Sequence, residues 1–317
     1  MKKILITGGS GLVGTRLTEL LLAAGNYEVM HLSRSGKDIA GVTVYEWDVE
    51  GGEMEEEAIQ KADCVIHLAG TGIMEKAWID SQKEKIMESR TLSTALLVEK
   101  LTVLDHHVKT YIGASAIGYY GIEESDKTVL KHEEDAAGKD FLAQVCVEWE
   151  KAHAEVPSNI RSSIIRIGIV LSDKGGALVE MAKPVKAWAG AALGDGNQVV
   201  SWIHIDDLCR IFIKAIEDKK MEGIYNAVAP NPVTNAELTR MIANSLDKPL
   251  FLPNVPEPAM YLLLGQQAES VLRSIKASED KIVKAGFEFD FVDAQKAVDD
   301  LFSWFNSILN PKFLWET

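Results

Sequence analysis

The residues that most restrict how this chain can fold are ITGGSGLVG near its start, where Gly8, Gly11 and Gly14 stand three apart. Before them runs a short apolar stretch, Lys3 to Thr7. After them, Leu12 to Ala24 carries apolar residues at helical spacing. That order predicts a strand, a tight turn and a helix. Each glycine has a physical task in it. Gly8 makes the turn, Gly11 lets backbone approach a pyrophosphate, and Gly14 lets the helix pack closely on the strand. Ser10, Leu12 and Val13 complete the cradle. An anion seated there meets a helix N-terminus, whose free N–H groups and dipole favour negative charge.

The same alternation continues downstream. Glu28 to Ser33, Thr43 to Trp47, Cys64 to Ala69, Thr110 to Ser115 and Ile164 to Leu171 read as strands, several of them apolar on both faces. Strands of that kind belong in a parallel sheet covered by helices on both sides. The fold class is therefore α/β, a doubly wound parallel sheet of Rossmann type with a smaller C-terminal α/β lobe. The dinucleotide domain takes 1–171 and 199–229; 172–198 and 230–317 form the substrate lobe and a C-terminal extension. Within the glycine-rich stretch after Ser172 a helix is expected over Leu178 to Trp188. The run WIHIDD, 202–207, leads into an apolar helix up to Glu217, with Asp206 and Asp207 read as its caps. Gln198, Trp202 and His204 are placed on the substrate side.

Cofactor choice is read at the end of the second strand, HLSRS. An NAD binder places an acid there for the ribose 2′-hydroxyl, yet no acid occurs between Glu28 and Asp38. Ser33 and Arg34 stand there instead, a hydroxyl and a guanidinium fork that suit a 2′-phosphate, and so NADP(H).

Other classes recede. A net charge of −14 argues against a nucleic-acid partner. Cys64, Cys146 and Cys209 lie far apart without C-x-x-C spacing, and the seven histidines form no ligand pattern, so neither a disulfide framework nor a structural metal is expected. No apolar run reaches the ~18 residues of a membrane span, and the N-terminus lacks a signal-type apolar region. The expected location is cytoplasmic.

Beyond the glycine turn, Ser33-Arg34 and Asp48, the chain carries HLAG at 67–70, SAIGYYG at 115–121 and WIHIDD. With these it resembles the extended short-chain dehydrogenase/reductases along nearly its whole length. The segments WIDSQKEKIMESR, DFLAQVCVEWEKA, RIGIVLSDKGGAL and GDGNQVVSWIHIDD, with a C-terminal extension containing AGFEFDF, narrow the resemblance to the atypical epimerase-family branch, family 39U. The resemblance implies that Leu68, Ala69 and Gly70 line the cofactor, that Asp48 and Val49 lie near its adenine, and that Arg90 reaches its phosphates. From the residues themselves, Asp48 reads equally as a turn residue and Arg90 as a solvated helix residue. Gly168 ends a strand at the edge of a parallel sheet where ligands gather.

Ordinary members of this superfamily use a Tyr with a Lys four residues later on one helix, so that the ammonium lowers the phenol's pKa and holds the nicotinamide ribose. None of the seven tyrosines here has a Lys at that spacing. Aligned on the helix that carries Glu150, the two places fall on Leu142 and Cys146, or in the adjacent register on Phe141 and Val145, all part of one apolar face with Trp149. The remaining candidate proton donors are Ser115, Tyr119 and Tyr120, although Ser115 reads equally as a strand-end hydroxyl satisfying local backbone. The sequence thus points to an NADP(H)-binding, epimerase-like oxidoreductase acting on a small molecule it does not identify. A non-catalytic NADP(H) sensor acting through a protein partner is the alternative.

Overall fold

The computed structural model describes residues 1–35, 39–122 and 129–309, with side chains as far as Ser303. Residues 310–317 of the expected second lobe lie outside the described residues. The chain begins with β1 (Lys2–Thr7) and α1 (Leu12–Ala24), then β2 (Tyr27–Ser33), β3 (Val42–Asp48), β4 (Glu53–Met54), α2 (Glu57–Lys61) and β5 (Cys64–His67). The long α3 (Asp80–Val103) follows, then β6 (Thr110–Ala116), a 3₁₀ turn at Ile117–Tyr120, β7 (Leu130–Lys131), α4 (Phe141–Ala154) and β8 (Arg161–Ile167). Further on come β9 (Ile169–Leu171), α5 (Ala177–Lys186), β10 (Val199–Val200), β11 (Trp202–His204), α6 (Ile205–Glu217) and β12 (Gly223–Ala227).

Eight strands form the main sheet in the order β12-β8-β6-β5-β1-β2-β3-β4, parallel except for the β3–β4 pair. The chain works outward from β1 to β3, then returns to the other side of β1 with β5. This reversal opens a crevice above the carboxyl ends of β1 and β5, where a doubly wound fold binds its ligand. The sheet is buried on both faces. Ile4, Ile6 and Ile66 face α1 and α6, while Leu5, Val65 and Tyr111 face the side of α2 and α3. That is why β1 and β5 are continuous apolar runs rather than alternating ones.

The expected strand Ile164–Leu171 is broken. β8 ends at Ile167 and the chain crosses at Gly168 to a second, two-stranded sheet, where β9 pairs with β11. Gly168 N–H still donates to Ala227 O at 3.0 Å in the main sheet, while Ile169 N–H donates to Ser201 O at 2.8 Å in the second. A side chain at Gly168 would stand 2.6 Å from Ser201 O.

The WIHIDD segment also differs from expectation. The cap of α6 is His204, whose Nδ1 accepts from Asp206 N–H at 3.1 Å. Asp206 instead holds Arg16 through two bonds of 2.6 and 2.9 Å. The wholly buried Asp207 accepts from the backbone N–H of Asp290 and Phe291, at 3.0 and 2.9 Å, and so ties the AGFEFDF segment to α6. Trp202 is fully buried with its indole N–H on Asn231 O, and His204 stacks on Phe291. Both belong to the seam between the sheet domain and the extension, and Gln198 is buried with its amide on Leu193 O. Charges and polar groups here are consumed by joining segments distant in sequence.

The rest of the smaller region contains α7 (Asn235–Ser245), α8 (Glu257–Leu264) and α9 (Ala268–Leu272). It leans on the loop after β5: Gln267 Nε2 donates to Ile73 O and Lys76 O at 3.1 and 2.8 Å. Among the described residues no helix is long and apolar enough to cross a membrane.

Candidate active site

The glycine turn has the shape its sequence implies. Gly8 sits at φ +69, and a Cβ there would stand 2.8 Å from the Leu68 backbone. At Gly14 it would come within 2.3 Å of Gly8 O, so α1 packs onto the turn only because that position has no side chain. Gly11 is the N-cap of α1 and supplies no side-chain acceptor to the first turn, which leaves those N–H groups to an incoming anion. Ser10 is exposed, with Leu12 and Val13 half-buried behind it. These residues fit a pyrophosphate.

Opposite the turn, Thr7 joins the ends of β1 and β5. Its Oγ1 accepts from the N–H of Leu68 and Ala69, both at 3.2 Å, so its own proton goes to His67 Nδ1 at 2.6 Å. Ser93 and Thr94 donate their hydroxyls to Ser89 O and Arg90 O and therefore accept from His67 Nε2–H. His67 is thus a neutral Nε2–H tautomer, and its burial pushes its pKa well below the ordinary value. The effect is to fix the backbone of Leu68 and Ala69 at the crevice. Gly70 beside them is exposed, and a Cβ on it would lie 3.0 Å from the Arg90 guanidinium carbon.

Arg90 is not a solvated helix residue. Its Nη1 donates to Thr71 O and Ile86 O, and its guanidinium lies over the Trp149 ring at 5.1 Å. Burial lowers its pKa. Those partners are neutral, so a positive charge stands at the crevice beside Gly70. At the β2 end, Ser33 is half-buried and Arg34 exposed. Asp48, at the end of β3, folds back on its own turn and accepts from Glu50 and Gly51 N–H at 3.1 Å each.

Leu142 and Cys146 lie on the buried face of α4 with Val145 and Trp149. Leu142 and Val145 pack with Trp78 and Ile86. Burial raises the Cys146 thiol to about 11, with the nearby Glu150 adding to it. One turn further along α4, Glu150 does what sequence reasoning did not anticipate. Both its oxygens bind Arg166, at 2.8 Å each, and Oε1 also accepts the hydroxyl of Ser115 at 2.6 Å. Arg166 Nη1 reaches Tyr120 Oη at 3.1 Å, and Tyr120 donates to Asn226 Oδ1 at 2.7 Å. Ser115 and Tyr120 are both buried, and burial raises the Tyr120 phenol to about 12. Tyr119, half-buried, lays its ring on the Arg166 guanidinium with 3.4 Å from centroid to carbon. The three hydroxyls expected near one another are indeed gathered at the end of β6, but two of them are bonded into an ion-paired network.

A glycine cradle at the switch point of such a sheet is the arrangement of a doubly wound, nucleotide-binding type of fold. Comparison with known proteins is more specific. The chain matches the NAD dependent epimerase/dehydratase family over residues 4–227 and a domain of unknown function, DUF1731, over 255–301. It belongs to that family, in the group of SDR39U1-like epimerase family proteins that carry this C-terminal extension. It is 34% identical over 308 residues to the Arabidopsis thaliana SDR39U1 homolog described as chloroplastic, covering 92% of this chain and 85% of that one. The Bacillus subtilis epimerase family protein YfhF is 32% identical, with 94% and 97% covered. Among solved structures, the human epimerase family protein SDR39U1 with NADPH superposes at a TM-score of 0.84 and 28% identity, covering 95% of this chain and 99% of that one.

Proposed function

We propose that this protein binds NADP(H) in the glycine cradle and acts on a small-molecule substrate as an oxidoreductase or epimerase. The observation that carries the reading is the open N-terminus of α1 at Gly11, with an exposed Arg34 where an acid would repel a 2′-phosphate. The human relative crystallised with NADPH supports the same choice. Bound NADP(H) supplies a hydride to the substrate or removes one. The chain's own part is to hold the pyrophosphate on the Gly8–Gly14 turn, to face it with Arg90, and to wall the reacting side with Leu142 and Cys146. Among the described residues Tyr119 is the hydroxyl of the three that no hydrogen bond takes up, and we assign it the proton donor's place. Three free, buried cysteines suit a reducing compartment such as the cytoplasm.

A second reading, an NADP(H) sensor without turnover, is favoured by the engagement of Ser115 and Tyr120 in the Glu150–Arg166 network. One experiment separates the two. NADPH and NADH are titrated into the protein by nicotinamide fluorescence, and NADPH consumption is then followed with a panel of carbonyl compounds and sugar nucleotides. Preferential NADPH binding with turnover supports the enzyme; binding without any turnover supports the sensor; equal binding of both cofactors overturns the NADP(H) assignment. Where turnover is found, Tyr119→Phe should reduce it by ~10²-fold with NADPH affinity unchanged.

A further inference from the structure

The helix that has lost its lysine is not without a cation nearby. Arg273 follows α9 in the C-terminal region and crosses to the 3₁₀ turn, where Nη1 donates to Gly118 O at 3.2 Å. Its Nη2 binds Asp140 Oδ1 at 2.6 Å. A carbon placed on Gly118 would lie 3.8 Å from both Cys146 Sγ and Leu142 Cβ, and 3.9 Å from Arg273 Nη1. The Arg273 guanidinium, Leu142 and Cys146 therefore all come within 4 Å of one point beside Gly118. The charges of Arg90 and Arg273 both bear on the Cys146 thiol.

Two further facts give Arg273 a ligand to find. Its side chain is 7% exposed, and its Nε–H is buried with no hydrogen-bond acceptor among the described residues. A buried donor left unmade is costly, and a guanidinium offers Nε–H and an Nη–H side by side as a fork for a carboxylate. Asp140 takes the Nη2 half of that fork and leaves Nε–H without an acceptor among the described residues. It accepts through Nη2 alone, and its oxygens also serve the N–H groups of Leu142, Ala143 and Ile122.

We propose that Arg273 is the substrate-side cation of this site and that it receives the carboxylate of a small carbonyl compound, as in a 2-oxo acid. The class follows from distance. A group held by Arg273 lies beside the wall formed by Leu142 and Cys146, so the anion must be within a bond or two of the reacting carbon. A sugar nucleotide keeps its diphosphate many bonds from the carbon that reacts. The segment bearing Arg273 is itself strapped to the loop after β5 by Gln267, so the cation is delivered by the C-terminal extension and not by the sheet domain.

This inference rests on the NADP(H) reading, and the test keeps the two apart. NADPH is first titrated into full-length wild type, R273Q and R273K. Oxalate is then titrated into each protein with and without saturating NADPH, with inorganic phosphate and uridine diphosphate as rival anions. Oxalate should bind wild type in preference to both rivals, and R273Q should weaken it by about 10-fold or more at unchanged NADPH affinity, although the broken Asp140 pair lowers its melting temperature. R273K, which keeps the charge but not the fork, should fall between. Equal oxalate affinity in wild type and both variants, preference for phosphate or uridine diphosphate, or no anion binding to wild type would each overturn the proposal. Failure of wild type to bind NADPH would instead sink the cofactor reading, and the titrations without NADPH would still decide for or against Arg273.

Discussion

Single side chains here carry more than their type suggests. Arg34 is exposed at the end of β2, so its removal should leave the fold intact and touch only the cofactor's 2′-phosphate. Arg34→Ala should weaken NADPH by about 1.5–3 kcal/mol, the scale of a charged hydrogen bond, and leave NADH almost unchanged. Equal losses in the two titrations would remove the 2′-phosphate from the account. Cys146 is the opposite case. Its thiol is buried and its pKa is raised to about 11 by burial, so little thiolate exists at neutral pH. Cys146→Ala should cost on the order of 1 kcal/mol through packing, with NADPH affinity preserved and turnover per folded molecule changed by less than the loss of a catalytic group would bring. Lost turnover at an unchanged melting temperature would mean the thiol is chemical. The burial of Cys146 was legible in its apolar neighbours, and the place of Arg34 after β2 in the alternation of strand and helix.

At the scale of elements, α4 is held at its start, along its buried face and near its end by different kinds of contact. Asp140 caps it, Leu142 to Trp149 pack it, and Glu150 anchors it to β8 through Arg166 and to β6 through Ser115. A buried ion pair is weak evidence of net stabilisation, but breaking one leaves a stranded charge. Glu150→Gln should therefore destabilise the protein by about 3–5 kcal/mol, measurable as a shift of the urea midpoint. A loss within experimental error of zero would show that Arg166 finds other partners. None of this network is visible along the chain. Arg166 reads as one more residue in an apolar strand, and only the parallel register of β6 and β8 sets Ser115 opposite it. The crossing at Gly168 was equally hidden, because two strands of different sheets abut without a break in the apolar run.

Of the four buried histidines among the described residues, His31, His67, His153 and His204, all with pKa lowered by burial, His67 and His153 lie together beneath the crevice. His153 is hydrogen-bonded to Tyr111 and to Ala114 O, and burial lowers its pKa to about 4. His67 is held well below the ordinary imidazole range by burial and by His153 beside it. Above pH ~6.5 these histidines are neutral in both folded and unfolded chains and contribute no pH dependence. Below it the unfolded chain takes up protons that the folded one refuses. Stability should then fall continuously as pH drops from about 6.5 towards the folded pKa of about 4, with His153 alone accounting for roughly 3 kcal/mol at the end of that range. Urea midpoints at pH 7 and pH 5 check the sign: equal midpoints, or a higher one at pH 5, would contradict it.

The sequence by itself determined the class of fold and the glycine turn after β1. Both depend on local rules: glycines where a Cβ would strike backbone at Leu68 or Gly8, and apolar runs long enough to be buried on two faces. It also showed the loss of the Tyr-Lys pair, since one helical turn fixes that spacing. What stands in the vacated space was decided by tertiary structure alone. Glu150 and Arg166 meet across two elements, and Arg273 reaches Asp140 from 133 residues away. Ion pairs between distant segments leave no period and no motif, because their geometry exists only once the sheet and the C-terminal extension have packed together.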